Sequence, residues 1–316
     1  MRITVSVPPG LRAQFFPDLA RLRGLGDVRL LDDHAELPGA LPGSEVLVTS
    51  WGVPPLDGRL LDLAPELRLV AHTGATVKPF VTEELWARGV RVTQAGAGMA
   101  RSVAEVALAF TLALLHRVHR FDHALRSGTP WEAASRAPVR HEILGCPIGV
   151  VGASRTGRAY IDLVTALGAR VTVADPYHAG AVPLAELLAA SRVVALHAPV
   201  LPETRHLIGA RELALMPDGA LLVNTARSWL VDQDALFAEL RTGRLDAALD
   251  VYDLEPLPER HPFRTLPNVL LTPHQAAGTR ECRARQGDIV LSEIAAYASG
   301  EPLGHAVTPA LLSRMG

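Results

Sequence analysis

The sequence has little cysteine, and neither charge sign dominates it. Cys146 and Cys282 are the two cysteines among 316 residues, and they form no CxxC pair. This usage offers no metal or redox motif and favours two free thiols in a reducing cytoplasm, although sequence alone leaves one long-range disulfide open. The formal net charge is −2, which argues against a nucleic-acid partner. We expect a cytoplasmic protein without a metal centre.

Long apolar runs are also missing. The longest, 106–115, is bounded by Glu105 and His116, and it is about half of the roughly 20 residues that a bilayer span requires. The N-terminal run, 3–7, is a short strand pattern followed by two prolines. It does not resemble the apolar core of a signal peptide. We therefore expect a soluble protein without a membrane partner.

Short apolar segments alternate with longer helical segments over most of the chain. Hydrophobic residues make up 48% of the sequence, and continuous apolar strands separated by helices are typical of parallel sheets covered on both faces. The strand-like runs form two groups. The first group is 3–7, 45–49, 67–71 and 90–94, and the second is 148–152, 170–175, 192–197, 220–224, 247–250 and 268–272. The pattern predicts an α/β fold with two α/β domains.

The boundary between these domains is predicted near residues 98–101. There Ser102 and Glu105 have the spacing of a capping box, which predicts the start of a helix. A final helix, beginning near Thr279, returns the chain to the first domain. We predict a first domain of residues 1–99 plus 285–316, and an inserted second domain of residues 100–284.

A glycine turn follows the first strand of the second group. Gly152 and Gly157 match the first and third glycines of G-x-G-x-x-G, and Ser154 stands at the second. In this motif the glycines permit a tight turn and close packing, so that a pyrophosphate can approach a helix N-terminus. Asp175 ends the next strand, where a carboxylate would bind ribose hydroxyls. No Arg follows Asp175 to accept a 2′-phosphate, so NAD is preferred over NADP; the competing interpretation is an ordinary βα turn.

Three further strand ends carry polar residues. Arg227, Glu255 and His274 each follow an apolar strand of the second group. Because ligands of open α/β sheets bind beyond the carboxyl ends of the strands, the three side chains could meet in one crevice. Any one of them alone is more simply a surface or loop residue. Together they supply a fixed cation and a proton donor, which hydride transfer to a keto acid requires.

The order of these motifs resembles the D-isomer-specific 2-hydroxyacid dehydrogenase family, which includes phosphoglycerate, glyoxylate and hydroxypyruvate enzymes. The resemblance covers residues 67–274. Its pieces are Gly89-Val-Arg-Val-Thr, Arg101-Ser-Val-Ala-Glu105, Gly152-x-x-x-x-Gly157, Leu196-His-Ala-Pro199, Pro202-Glu-Thr-Arg-His-Leu-Ile208, Asn224-Thr-Ala-Arg227, Leu249-Asp-Val251, Glu255-Pro256 and Thr272-Pro-His274. It implies a flavodoxin-like substrate domain, an inserted NAD(P)-binding Rossmann domain and reduction of a small 2-oxo acid with NADH.

The resemblance also implies residue roles. Arg227 would bind the substrate carboxylate, His274 would donate a proton to the carbonyl oxygen, and Glu255 would hold the imidazole. Asp250 would bind the nicotinamide carboxamide. The implied cofactor-binding residues are Gly152, Ser154, Arg155, Thr156, Gly157, Asp175, His197, Pro199, Thr204, Thr225, Ala226, Asp250, His274 and Gly278. The implied substrate-binding residues are Thr73, Gly74, Ala75, Thr76 and Val77, together with Arg227.

The sequence departs from the family at several positions around the implied site. The substrate loop has Thr76 and Lys78, Met99 replaces a common Asn, and Gln275 replaces an apolar residue. These changes leave the substrate undefined. Trp131 matches a segment that packs across a subunit interface, which implies a homodimer, with a core or loop aromatic as the alternative.

Two alternative functions stay open at this stage. One is an NAD-sensing binding protein of the corepressor type, which would not turn over substrate. The other is a phosphite- or formate-type dehydrogenase. Formate enzymes carry Gln at the position of Glu255, so the acid argues against that activity.

Overall fold

The computed structural model describes residues 1–136, 139–312 and 315, and the chain divides into two units. Unit 1 comprises Met1–Met99 and Gly278–Met315, and unit 2 comprises Ala100–Ala277. The second boundary differs from the predicted one at 284/285, which would cut a continuous helix, Arg280–Ser299. The early part of that helix already belongs to unit 1, because Gln286 donates to the Thr73 carbonyl at 2.7 Å.

The strands, numbered in chain order, are β1 Arg2–Ser6, β2 Asp27–Leu31, β3 Val46–Thr49, β4 Leu69–His72, β5 Arg91–Gln94, β6 Pro147–Val151, β7 Arg170–Ala174, β8 Val193–Leu196, β9 Leu221–Asn224, β10 Asp246–Leu249, β11 Val269–Leu271 and β12 Ala306–Val307. The α-helices are α1 Pro9–Phe15, α2 Leu19–Arg23, α3 Leu37–Ala40, α4 Gly58–Asp62, α5 Glu83–Ala87, α6 Ala100–Leu115, α7 Val118–Arg126, α8 Trp131–Ala134, α9 Arg155–Ala166, α10 Leu184–Ala190, α11 Ala210–Leu215, α12 Gln233–Thr242, α13 Arg280–Ser299 and α14 Pro309–Leu312.

Unit 1 is built on one sheet with the order β12-β5-β4-β3-β1-β2. Strands β1 to β5 pair in parallel, and β12 joins β5 antiparallel. Adjacent residues of a strand point to opposite faces: Val46 and Val48 pack with Phe15 and α13, whereas Leu47 packs with Leu61 and the helices of the other face. The order confirms the flavodoxin-like topology, whose strand order reverses between β1 and β3.

Unit 2 contains a second sheet, with the order β11-β10-β9-β8-β6-β7 and only parallel pairs among the described strands. Ala107 and Tyr160, from α6 and α9, cover one face. Leu187, Leu213 and Leu236, from α10 to α12, cover the other. The order reverses between β6 and β8, so the turn after β6 lies where doubly wound sheets bind nucleotides.

One described stretch, Gly96–Leu115, is long and apolar enough to cross a membrane by length and composition. In the structure it comprises a 3₁₀ turn, Gly96–Met99, and α6. Residues of α6 such as Ala107 and Leu114 are fully buried in the core of unit 2, as in a core helix. The predicted capping box is wrong, because Ser102 lies inside α6 and donates its hydroxyl to the Ala276 carbonyl at 2.7 Å.

Candidate active site

The glycine turn after β6 requires glycine at both predicted positions. Gly152 has φ 94°, and a Cβ there would lie 2.5 Å from the Ala198 nitrogen. A Cβ on Gly157 would overlap the Gly152 carbonyl oxygen. The turn therefore passes close to the end of β8 and enters α9 without side chains in the way, as a pyrophosphate-binding turn must.

Ser154 is the N-cap of α9. Its hydroxyl accepts from the Gly157 amide at 3.4 Å and donates to the His197 carbonyl at 3.1 Å. Serine at the second motif position thus ties the turn to β8, a role that its sequence position did not indicate. Arg155 and Thr156 form the first turn of α9, whose early amides have no partner within the helix and can receive an anion.

Asp175, at the end of β7, is held in place by backbone amides. Its Oδ2 accepts from Ala153 at 2.7 Å and its Oδ1 accepts from Tyr177 at 2.8 Å. A pocket of about 560 Å³ lies beside it, lined also by Pro176, Val182 and Leu184, with no Arg or Lys among its described lining residues. This arrangement suits a ribose with free hydroxyls and an apolar base.

Three predicted cofactor residues, His197, Pro199 and Thr204, are buried or hydrogen-bonded within unit 2. His197 is 4% exposed, its ring lies 5.0 Å from the Tyr160 ring, and burial lowers its pKa to about 4, so it is neutral. The Thr204 hydroxyl donates to the Pro199 carbonyl at 2.8 Å. Their implied contacts with the cofactor stay predictions. Gly278 stands at the start of the second segment of unit 1.

Thr225 is one of the described residues of unit 2 that carry a buried polar atom without a hydrogen-bond partner. Its side chain is 5% exposed, and its Oγ1 has no hydrogen-bond partner in the described part of the chain. Buried hydroxyls are nearly always hydrogen-bonded. The next residue, Ala226, donates its amide to Asn224 Oδ1 at 3.0 Å, which fixes the loop after β9. An orphaned hydroxyl, a glycine turn and an oriented Asp175 together fit a dinucleotide.

Glu255 and His274 form a hydrogen-bonded pair in unit 2. His274 Nδ1 lies 2.7 Å from Glu255 Oε2, with side chains 45% and 35% exposed. The other carboxylate oxygen of Glu255 accepts from the Tyr252 amide at 2.9 Å. A pocket of about 610 Å³ is lined by both residues and by Leu257 and Arg264. The pair leaves Nε2 of the imidazole as the nitrogen available to a substrate.

The loop that carries His274 is organised by Asp250. This carboxylate is 1% exposed and accepts from Thr272 Oγ1 at 2.5 Å, from the Gln275 amide at 2.9 Å and from the Ala276 amide at 3.0 Å. These bonds hold His274 at φ 54°, a left-handed conformation that costs energy for a non-glycine residue. The implied contact of Asp250 with a carboxamide stays a prediction.

Tyr252 also supports this loop, and sequence reasoning did not identify it. Its hydroxyl lies 2.8 Å from the Leu249 carbonyl and 2.9 Å from the Thr272 carbonyl, which joins β10 to the segment after β11. Burial is the main cause that raises its pKa to about 12. Tyr252 therefore stays neutral and acts as a donor near neutral pH.

Arg227 follows β9 and is half-buried. Its Nη1 donates to the Ala226 carbonyl at 2.6 Å, and its own carbonyl accepts from Asn224 Nδ2 at 3.0 Å. Burial lowers the pKa of Arg227 from its ordinary value, and the charge of Glu255 raises it. Arg227 thus shares the electrostatic environment of the Glu255–His274 pair. A desolvated guanidinium attracts a carboxylate more strongly than one in water.

The predicted substrate loop lies in unit 1, after β4. The Thr73 amide and hydroxyl both donate to the Thr49 carbonyl, at 2.9 and 3.1 Å. A Cβ on Gly74 would lie 2.6 Å from His72 Nε2, so glycine is required there. Val77 is fully buried in the core, which leaves only its backbone for a ligand, while Ala75 and Thr76 are half-buried. The substrate-binding role of the loop stays a prediction.

Comparisons with known proteins agree with this geometry. Residues 108–276 match the model of a family described as D-isomer specific 2-hydroxyacid dehydrogenase, NAD binding domain. The chain belongs to this family. It is an NAD-dependent oxidoreductase, and unit 2 contains its NAD-binding domain.

Individual relatives extend the likeness beyond unit 2. A glyoxylate reductase from Aeropyrum pernix is 35% identical over 277 residues, which are 82% of this chain and 80% of that protein. A D-3-phosphoglycerate dehydrogenase from Mycobacterium leprae is 35% identical over 90% of this chain, which spans only 56% of that longer protein. A crystal structure of a protein from Thermus thermophilus has a TM-score of 0.82 and 32% identity, and it covers 98% of this chain and 100% of its own.

Proposed function

We propose that this enzyme reduces a small 2-oxo acid to the D-2-hydroxy acid with NADH, and that His274 is its acid–base residue. The observation that carries the proposal is the Glu255–His274 pair, joined at 2.7 Å in the same unit as a half-buried Arg227. Such a pair supplies a proton, and the guanidinium supplies a fixed positive charge.

The residues that would hold the cofactor are those of unit 2 that fit it. The turn from Gly152 to Gly157 would receive the pyrophosphate, Asp175 the ribose hydroxyls, and Thr225 the nicotinamide end. When bound, NADH supplies the hydride that reduces C2 of the substrate. Asp175 has no neighbouring Arg in its described pocket, and this supports NADH over NADPH.

The protein residues would divide the remaining chemistry between them. Arg227 would bind the substrate carboxylate with its planar fork and draw electron density from the 2-oxo group. His274 would donate its Nε2 proton to the carbonyl oxygen as negative charge develops there. Glu255, bonded to Nδ1, would fix the tautomer and favour the protonated imidazole.

A substrate panel tests the proposal. Purified enzyme with NADH is mixed with glyoxylate, hydroxypyruvate, pyruvate, phenylpyruvate or 2-oxoglutarate, and the absorbance of NADH is followed. At least one acid is expected to be reduced, and chiral chromatography of a chiral product is expected to give the D enantiomer. NADH binding without reduction of any acid would favour the corepressor-type alternative. Oxidation of phosphite or formate by NAD⁺, followed in a separate assay as formation of NADH, would favour the phosphite- or formate-type alternative. An L product would contradict the proposed stereochemistry.

Replacing Asp175 tests the cofactor preference. We expect Asp175→Ala to raise the KM for NADH roughly tenfold, since a charge-assisted hydrogen bond is lost, and to bring the KM for NADPH closer to it. Steady-state kinetics with both cofactors measure this. Asp162→Asn is the control, because Asp162 is an exposed residue of α9. An unchanged ratio of NADH to NADPH efficiency would show that Asp175 does not contact the ribose.

We also propose a cytoplasmic homodimer that binds neither nucleic acid nor membrane. Both cysteines are free and buried, which supports a reducing compartment. The segment of α7 and α8 exposes Leu125 by 47% and Trp131 by 73%, which supports a homodimer. Apolar side chains exposed together are typical of a subunit interface. Light scattering is expected to give about twice the chain mass of 33.8 kDa, and Trp131→Asp to shift it toward the monomer. A monomeric parent enzyme would contradict the proposal.

A further inference from the structure

One residue of unit 2, Tyr252, is hydrogen-bonded both to Glu255 and to the loop that carries His274. Its backbone amide donates to Glu255 Oε1 at 2.9 Å, and the other oxygen, Oε2, lies 2.7 Å from His274 Nδ1. Its hydroxyl lies 2.9 Å from the carbonyl oxygen of Thr272, two residues before His274. Tyr252 therefore joins the carboxylate to the segment that leads into the imidazole.

The hydroxyl of Tyr252 is a buried donor with two acceptors. Tyr252 is 5% exposed, and its hydroxyl also lies 2.8 Å from the carbonyl oxygen of Leu249, the last residue of β10. Burial is the main cause that raises the pKa of Tyr252 to about 12, so the phenol keeps its proton near neutral pH. A phenol has one proton, which the two carbonyls share. Because the Leu249 carbonyl also accepts from the Thr272 amide at 3.0 Å, the Thr272 carbonyl depends on the phenol more than the Leu249 carbonyl does.

His274 is held on both of its sides. Asp250 accepts from the two amides that follow His274, at 2.9 and 3.0 Å, and from the Thr272 hydroxyl at 2.5 Å. The hydroxyl bond fixes the Thr272 side chain, whereas Tyr252 fixes the Thr272 carbonyl and so the direction in which the chain enters Pro273, whose φ is restricted. His274 itself has φ 54°, a conformation that persists only where the surroundings impose it. Loss of the Tyr252 hydroxyl would release the peptide that leads to His274.

The charged groups near His274 come from several segments of unit 2. Glu255 and Asp250 follow β10, and Arg227 follows β9. Arg264 lines the same pocket as His274. Among these groups, Glu255 is the one hydrogen-bonded to the imidazole. A carboxylate facing Nδ1 favours a proton on that nitrogen, which leaves Nε2 free, so the orientation of the ring decides which nitrogen faces away from Glu255.

We propose that Tyr252 is a positioning residue, whose hydroxyl holds the loop so that His274 keeps Nδ1 toward Glu255 and leaves Nε2 free. Tyr252 does not itself exchange a proton in the reaction. Its effect on catalysis is exerted through His274, and this part of the inference rests on the proposed function. The orientation of the imidazole does not rest on it.

Two replacements of Tyr252 remove the donor and keep the ring. Tyr252→Phe is expected to lower kcat for the preferred 2-oxo acid roughly 10- to 100-fold, because a small displacement of a catalytic group has an effect of this size, and to change KM and the Kd of NADH less than about threefold. Incorporation of 4-fluorophenylalanine at position 252 fills the space of the hydroxyl without a proton to donate. It is expected to give the same loss, and it takes the place of Tyr252→Phe if that variant does not fold.

NMR of protein labelled with ¹⁵N-histidine measures the state of the ring independently of turnover. At alkaline pH, where histidine side chains are ordinarily neutral, correlations between the ring protons and the two nitrogens show which nitrogen carries the proton. The His274 signal is the one that is absent from His274→Asn. We expect the proton on Nδ1 in the parent enzyme and a mixture of the two tautomers in both replacements of Tyr252.

Tyr160→Phe is the matched control. Tyr160 is a fully buried tyrosine of α9, and its hydroxyl lies 2.6 Å from the Thr111 hydroxyl. This variant therefore also loses a buried phenol and its hydrogen bond, but not one that holds the loop of His274. We expect an unchanged kcat and an unchanged His274 tautomer.

The outcomes separate this inference from the proposed function. An unchanged His274 tautomer in Tyr252→Phe would overturn the inference, as would an equal change in Tyr160→Phe. An unchanged tautomer with 4-fluorophenylalanine would assign the effect of Tyr252→Phe to a cavity and also overturn it. A changed tautomer in both replacements with an undiminished kcat would support the positioning role and contradict proton transfer by His274. If the parent enzyme reduces no 2-oxo acid, the proposed function fails, and the tautomer still decides the role of Tyr252.

Discussion

Replacing His274 with asparagine is expected to lower kcat about 10³-fold while leaving the Kd of NADH within about threefold, since general acid–base catalysis contributes roughly 10²- to 10⁴-fold. The side chain lost is the proposed proton donor, the imidazole of the Glu255–His274 pair. Asparagine is a better replacement than alanine here because His274 has φ 54°. Asparagine adopts this left-handed backbone conformation more readily than alanine does. The loop held by Asp250 is therefore expected to keep its conformation.

A second histidine of unit 2 provides a matched control for this experiment. His206 has φ 49° and lies 3.9 Å from Asp232, so it shares the backbone strain and the neighbouring carboxylate. His206→Asn is expected to retain activity within about threefold. Single-turnover kinetics measure the chemical step, and fluorescence titration measures NADH binding. A large loss of NADH affinity in His274→Asn would assign His274 to cofactor binding or to structure, and normal turnover would contradict its role in proton transfer.

The fold was predictable because its signals are local. Apolar runs such as Val193–Leu196 are buried on both faces, and a parallel sheet is the structure that buries a continuous apolar run in this way. Gly152 and Gly157 are required by contacts that their motif describes. The position of Arg227, Glu255 and His274 after consecutive strands also follows from the topology of an open parallel sheet.

The hydrogen bonds that hold the site residues in place were not predictable from the sequence, because they join segments that are distant in the chain. Asp250 holds Gln275 and Ala276, and Ser102 donates to Ala276 instead of capping its own helix. A carboxylate that binds amides 25 and 26 residues away leaves no periodic pattern. The same limit applies to Gln286, whose bond to the distant Thr73 places α13 in unit 1.

The described strand-end residues differ in whether their side-chain polar atoms have hydrogen-bond partners within the protein. Asp250 and Asp175 accept from two or more amide or hydroxyl donors, so each negative charge is already stabilised. Thr225, by contrast, has a buried oxygen with no partner in the described residues, and burial lowers the pKa of Arg227. A buried polar group without a partner in a folded protein is a candidate position for a ligand or a bound water. By this criterion Thr225 and His197 are strand-end residues of unit 2 whose buried polar atoms lack a partner among the described residues. The proposed roles of Arg227 and His274 rest instead on the buried charge of Arg227 and on the Glu255–His274 bond.

Arg227 is the position where loss of charge should affect both binding and chemistry. Arg227→Gln is expected to lower kcat/KM for the preferred 2-oxo acid by about 10³-fold, because a bidentate charge-assisted contact and the polarisation of the carbonyl are lost together. Arg227→Lys keeps the positive charge but not the planar fork, and a smaller loss of roughly 10- to 100-fold is expected. The loss should appear in kcat as well as in KM, since the proposed role of the guanidinium is to stabilise charge that develops during reduction.

Binding of oxalate separates carboxylate binding by Arg227 from polarisation of the carbonyl, because oxalate carries carboxylates but no reducible carbonyl. Arg227→Gln is expected to weaken oxalate binding to the NADH complex at least tenfold, since a charge-assisted contact is lost, whereas NADH binding stays unchanged. The matched control is Arg205→Gln, because Arg205 is an exposed arginine of unit 2 whose guanidinium lies 5.1 Å from the Trp229 ring. Undiminished oxalate affinity in Arg227→Gln would show that the substrate carboxylate binds elsewhere. A loss confined to kcat would then indicate that Arg227 acts on the substrate carbonyl and does not bind the carboxylate.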